Sequence, residues 1–213
     1  MKTLIRILIG IAVVVMAYLC VMSIYTPEQF DREQSKREQV IEERLKELTQ
    51  YQLAYRSVHG SFANAEQLVD FLQNGRIYYI NAEGDYTDAM REKGITEEQA
   101  AHQGLIQRDT VYVSAKDSLL KKDVDPADLV KVPNMPNEKI DIQASTIDQY
   151  IGQDTVQVAV FRMGVPMDIY LQGMDAQLIE AKKQEAMARN NGKGYPGLVI
   201  GSLEELKTTG NWE

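Results

Sequence analysis

A 213-residue chain with a formal net charge of −8 and a pI near 4.9 offers no basic surface, which argues against nucleic acid as a partner. Its 44% hydrophobic and 25% charged residues suit a folded protein and exclude a disordered one. The single cysteine, Cys20, lies in an apolar run, so the body has neither a disulfide nor a thiol nucleophile.

From Ile7 to Ile24 the chain reads ILIGIAVVVMAYLCVMSI, without charge or proline. About 18 residues at about 1.5 Å each just cover a hydrocarbon core of roughly 30 Å. A helix satisfies its own backbone there. Residues 1–25 are therefore expected to be a transmembrane anchor that places Ile7, Ile9, Ile11, Val13, Val15, Leu19, Val21 and Ile24 in the bilayer. Arg6 can snorkel to the interface, and Tyr18 and Tyr25 suit the far boundary. Two other readings use the same residues. A cleaved signal peptide would take Lys2 and Arg6 as its basic region and Val21-Met22-Ser23 as its cleavage site, although this apolar run is longer than such segments carry. A lipoprotein would use Cys20, but bulky Leu19 stands where a small residue belongs. Lys2 and Arg6 lie closest to the run and favour an inside N-terminus, against the pull of Arg32, Lys36 and Arg37 beyond it. The expected location is the inner (cytoplasmic) membrane, with one pass and the soluble body in the periplasm.

Residues 26–59 are expected to form a long helical stem. Thr26 can cap it, Pro27 suits a first helical position, and Gln29 sits where a capping-box partner belongs. From Pro27 to Val58 such a rod would measure about 48 Å. Its first half is charged and expected to be solvated, with Glu33–Arg37 and Glu42–Lys46 as favourable pairs and Glu38–Glu42 as a like-charge step. Its second half carries a stripe of Ile41, Leu45, Leu48, Tyr51 or Gln52, Tyr55 and Val58 on one face. That stripe is either the surface on which the body packs or a seam for self-association with a second helix.

Residues 60–213 are expected to be one soluble α+β domain of roughly 150 residues. Gly60 ends the stem, Asn64 caps a second helix bearing Leu68, Val69, Phe71 and Leu72, and Gly75 stops it. Arg76–Asn81 reads as a strand. Thr96-Glu97-Glu98-Gln99 is a capping box for a short helix that ends at Gly104. Period-two alternation over Thr110–Ala115, Lys139–Gln143, Val156–Met163 and Val165–Gln172 predicts strands of a mainly antiparallel sheet, the last two joined as a hairpin at Met163-Gly164-Val165-Pro166. The proline-punctuated stretch Asp125–Asn137 is a connector with one helical turn at Ala127–Val130. Ala176–Arg189 is a helix, Leu198–Ile200 a short strand, and Ser202–Glu205 a cap for a brief last helix.

Three stretches, LTQYQLAYRSVHGSFANAEQLVDFLQNG (Leu48–Gly75), GLIQRDTVYVSAKDSLL (Gly104–Leu120) and YPGLVIGSLEE…GNWE (Tyr195–Glu213), resemble those of small, uncharacterised, single-pass envelope proteins of Bacteroidota-type bacteria. That family brings no activity to transfer. The first stretch also resembles the stem of type II secretion pseudopilins and type IV pilins, with Tyr55, Gly60 and Phe62 at the positions of its tyrosine turn, glycine and aromatic. The prepilin processing site and the acidic residue of the pilin apolar segment are missing here.

No motif carries chemistry. His59 and His102 lack a second ligand at helical spacing. Asn191-Gly192-Lys193-Gly194 lacks the spacing of a phosphate loop, and no G-x-S-x-G elbow exists. Asp109, Asp117, Asp123, Asp125 and Asp128 read as a solvated acidic surface, since the stretch Asp123–Asp128 lacks the glycine and distal glutamate of a calcium loop. Tyr78, Tyr79, Tyr112 and Tyr170 read as half-buried sheet residues. The expectation is a protein without cofactor or metal, anchored in lipid through residues 7–24. It docks other envelope proteins in a secretion- or pilus-like assembly. The alternative is an anchored enzyme or small-ligand binder whose site no motif reveals.

Overall fold

A computed structural model describes residues 2–121, 124–152 and 154–213; the side chains of residues 2–4, 24, 81–83, 107–109, 151 and 191 fall outside it. The side chains of Ile24 and Asp109, and the whole of Asp123, are therefore outside the described residues. Helix α1 runs unbroken over Lys2–His59, 58 residues, or about 87 Å. Pro27 lies inside it, so the stem does not restart at Thr26. A proline forfeits one hydrogen bond and crowds the turn before it. Ending one helix and starting another would leave four unpaired groups at each new end. Gln29 accordingly donates to the Tyr25 hydroxyl instead of closing a capping box. Gly60 ends α1 at φ 73 with its N–H 2.8 Å from the Arg56 carbonyl.

Asn64 and Gln67 exchange the two hydrogen bonds of a capping box at the start of α2 (Ala65–Asn74), which buries Leu68, Phe71 and Leu72. Strand β1 (Arg76–Glu83) leads through two short helices, α3 (Asp88–Glu92) and α4 (Glu97–His102), to β2 (Gln107–Ser114), its antiparallel partner. The Thr96–Gln99 capping box opens α4. Next come α5 (Ala115–Leu119) and α6 (Pro126–Leu129), then β3 (Lys131–Val132) and β4 (Met135–Lys139), which pair across Asn134 at φ 64. The remainder is β5 (Asp141–Ile151), β6 (Asp154–Pro166), α7 (Met167–Tyr170), α8 (Ala176–Gly192) and β7 (Gly197–Gly201). Among the described residues the sheets are β1-β2, β3-β4 and β5-β6-β7, all antiparallel. The fold is α+β: a long helix, apolar at its N-terminal end, packed on small antiparallel sheets.

One hydrophobic cluster joins Phe30, Ile41, Leu45 and Leu48 of α1 to Leu68 and Leu72 of α2, Phe161, Met163 and Val165 of β6, and Leu198 of β7. The body is therefore not hung on the end of a rod. It grips α1 from Phe30 (6% exposed) upward, through the half expected to be solvated. Ile41, Leu45, Leu48, Tyr51, Gln52 and Tyr55 are all buried, whereas Val58 is 36% exposed. In the last turn it is His59 that stacks on the Tyr55 ring, at 4.1 Å between centroids.

Other expectations fail for identifiable reasons. β6 passes straight through Met163–Pro166, pairing Gly164 with both Asp141 and Val199. A Cβ on Gly164 would lie 2.7 Å from Cζ of Tyr195, so the glycine admits an aromatic cover and makes no turn. Pro166 needs no partner on the β5 side, because β5 begins at Asp141, opposite Gly164. The chain then forms α7, and Met167, Tyr170 and Leu171 are buried at helical spacing. Val165, Met167, Ile169 and Leu171 alternate in sequence, but over so few residues a strand and a helical turn share apolar positions. The true hairpin is β5–β6, closing between Ile151 and Asp154 beside Gly152 at φ 67. Lys139–Gln143 is split by buried Ile140, whose N–H bonds the Val130 carbonyl at 2.8 Å. The Ser202 hydroxyl accepts from the N–H groups of Glu204 and Glu205, at 3.1 and 3.2 Å. No helix follows it, and Leu206, the apolar residue that would have docked such a helix, is exposed.

Candidate functional site

The stem, α8 and the segment after β7 enclose a cavity of about 170 Å³, walled by Gln34, Glu38 and Glu42 of α1, Glu185 and Arg189 of α8, and Trp212. Helical spacing of four residues stacks Gln34, Glu38 and Glu42 on one face. Glu38 Oε1 accepts from Gln34 Nε2 at 2.7 Å and from the Tyr170 hydroxyl at 2.8 Å. The turn of α7 makes the second bond possible, and Arg37 fixes that turn by donating to the carbonyls of Tyr170 (2.9 Å) and Gln172 (3.2 Å). Burial, reinforced by the Glu38 charge, holds the Tyr170 phenol protonated well above its ordinary range. Burial also raises the Glu42 carboxyl; Lys46 opposes that shift, and the charge of Glu38 adds to it.

The opposite wall is pinned through Asn211. Its side chain donates to the Gly197 carbonyl at 2.8 Å and accepts from the Val199 N–H at 3.1 Å, and its own N–H bonds the Val199 carbonyl at 3.0 Å. This holds the Trp212 ring over the cavity, with the Lys46 ammonium 5.9 Å from its centroid. The Trp212 indole N–H and Gln34 Oε1 are buried without a hydrogen-bond partner, a donor and an acceptor that a bound molecule or water would satisfy. The nearby cations are already engaged, Lys182 with Asp31 at 3.1 Å and Arg189 with Glu185 at 3.2 Å. The arrangement can orient a small polar guest.

A second surface is the β1–β2 pair. Tyr78, Tyr79, Ile80, Val111 and Tyr112 are all exposed, contrary to the half-buried places expected of the tyrosines. Among the described residues the pair has no third strand, and Ile77 and Val113 are its side chains that reach the core. Tyr170 is not in a strand at all.

No known family, curated protein or solved structure matches this chain. Its geometry must carry the reading. Ile7, Ile9, Ile11, Val13, Val15, Leu19 and Val21 are all exposed, in a helix long and apolar enough to cross a membrane. The stem residues Ile41, Leu45, Leu48 and Tyr55 face the protein's own core, and Val58 does not. His59 bonds the Tyr55 carbonyl at 3.2 Å through Nδ1, while His102 ends α4, so the two histidines have separate structural places. No group of three metal-ligating side chains exists among the described residues. Asp125 caps α6, Asp128 pairs with Lys131 at 2.6 Å, and the N–H of Asp117 is held by Ser114 at 3.4 Å. The sequence reading missed Gln34, Glu38 and Trp212 as partners in one cavity. The one local hint was the Gln34–Glu38–Glu42 spacing.

Proposed function

We propose that this chain is a single-pass membrane protein whose α+β head docks other proteins of an envelope assembly of the secretion or pilus kind. One observation carries the reading. α1 continues from an apolar segment, none of whose described side chains is buried, into the middle of the head's core. An apolar side chain left in water forgoes about 1.5–3 kcal/mol, so a helix exposing a full span of them calls for lipid. Continuity with the core makes that segment a handle on the head. Arg6 and Lys2 close to the apolar run favour an inside N-terminus and a periplasmic head. The exposed aromatic β1–β2 pair, with open edges, has the chemistry of a surface that takes a protein partner.

The test is thiol labelling in intact cells of a variant with Cys20→Ser and Thr208→Cys. Labelling by a reagent that crosses only the outer membrane is the expected result. Protection until the inner membrane is broken places the head in the cytoplasm and overturns the envelope reading.

The cavity favours a second reading, an anchored small-ligand binder, because Gln34 and Trp212, which line it, carry a buried acceptor and a buried donor without partners. Trp212 is the only tryptophan and reports directly on occupancy. Under this reading a polar metabolite mixture quenches or shifts its emission, and Glu38→Gln removes the response. An unresponsive Trp212 counts against it.

A further inference from the structure

We infer that the head rests on the lipid headgroup layer through the corner between α7 and α8, with no stand-off between membrane and body. The inference depends on the membrane-anchor reading above and goes beyond it by naming the surface that meets the lipid.

Three observations set the distance. The apolar run ends at Ile24, and Phe30 is already buried by the head. Six helical residues span about 9 Å. The headgroup region on one side of a bilayer is itself about 5–8 Å deep. Whatever covers Phe30 thus lies at the outer edge of the headgroups. α8 is held at that level by the Lys182–Asp31 pair, 3.1 Å apart.

The direction of α8 carries the contact further down. Lys182 meets Asp31, while Glu185 and Arg189 share the cavity with Glu38 and Glu42, so α8 climbs away from the membrane alongside α1. Its first turn therefore points toward the bilayer. Exposed Ala176 and Gln177 sit about 8 Å below Lys182 along the helix, at headgroup depth. The head cannot lift away, because α1 has no break near Pro27 and Arg37 ties the carbonyls of Tyr170 and Gln172 to the stem.

The surface chemistry selects the kind of contact. Lys182 and Lys183 are engaged by Asp31 and Asp168. The first N–H groups of α8 are taken by Asp175, at 2.9 and 3.1 Å. Neither a free cationic patch nor a free helix end is presented, so helix geometry imposes the contact and anionic lipid is not required.

The experiment uses the full chain in phosphatidylcholine vesicles, with Cys20→Ser and a fluorophore on Gln177→Cys or, at the far end of the stem, on Ser61→Cys. A nitroxide on the lipid headgroup is the quencher. Quenching at residue 177 should be about threefold stronger than at residue 61, because the two levels lie roughly 50 Å apart and the headgroup layer is only several ångströms deep. It should be unchanged by phosphatidylglycerol or added salt. Equal, weak quenching at both sites in protein that floats with the vesicles overturns the inference and leaves the anchor intact. Quenching at residue 177 that requires phosphatidylglycerol and fades in salt also overturns it, since the contact would then be electrostatic. Protein that does not float with the vesicles defeats the anchor reading and this inference together.

Discussion

Gln52 is a fully buried polar residue in the middle of an apolar stripe. Its amide donates to the Ala63 carbonyl at 2.7 Å and accepts from the Ala63 N–H at 2.9 Å, tying the turn after Gly60 back onto the helix. Gln52→Ala leaves both backbone groups unpaired and should cost about 2–6 kcal/mol, with each orphaned group contributing about 1–3; urea unfolding measures it. The buried phenols act in a different range. Burial and the Asp141 charge, opposed by Arg162, leave Tyr195 pushed up to about 12, and Tyr51 and Tyr170 are raised as well. In the unfolded chain such phenols ionise near pH 10. The stability held in their neutral forms is complete below that pH and is lost as the pH rises through about 10 to 12. Melting temperature should therefore fall steeply above about pH 10, and Tyr195→Phe should flatten that fall.

At the scale of elements, α1 is an exposed apolar segment at one end and a core helix at the other, and the boundary is at Phe30. Leu48 is fully buried and Val58 is not, although both belong to the same apolar stripe in sequence. Leu48→Ala should cost about 2–5 kcal/mol, whereas Val58→Ala should stay within about 0.5 kcal/mol of the parent. Denaturant midpoints of the two variants, purified side by side, check the contrast. The stripe itself was legible, because residues three and four apart share a helix face whatever they pack against. Its lower limit was not. Phe30 stands among charges, and its burial comes from a core cluster that draws on residues far along the chain.

For the whole molecule, the same boundary makes the stem part of the head's core. Deleting Pro27–Lys46 would take Phe30, Ile41 and Leu45 out of the core, so the expected outcome is loss of the folded head, read as lost protection from proteolysis, and not a change of reach. A protease-resistant head after that deletion would mean that the stem contributes nothing to the core. The resulting object is a head built around the C-terminal part of α1. Under the proposed anchoring, motion of the head relative to a bilayer requires tilting all of α1.

The sequence by itself determined what depends on residues within one or two turns of each other. It set the apolar run, the Asn64 and Thr96 capping boxes, the stop at Gly60, the helix from Ala176 and the α+β class, because caps and periodicity are local bargains between backbone and nearby side chains. Only the tertiary structure decided where the head begins on α1, that β6 runs through Gly164 and ends in the turn of α7, and that Gln34, Glu38 and Trp212 share a cavity. Each of those outcomes is set by partners far apart in the chain. Tyr195 covers Gly164, Arg37 holds the carbonyls of residues 170 and 172, and Asn211 pins residues 197–199. Such long-range burial leaves no period in the sequence to read.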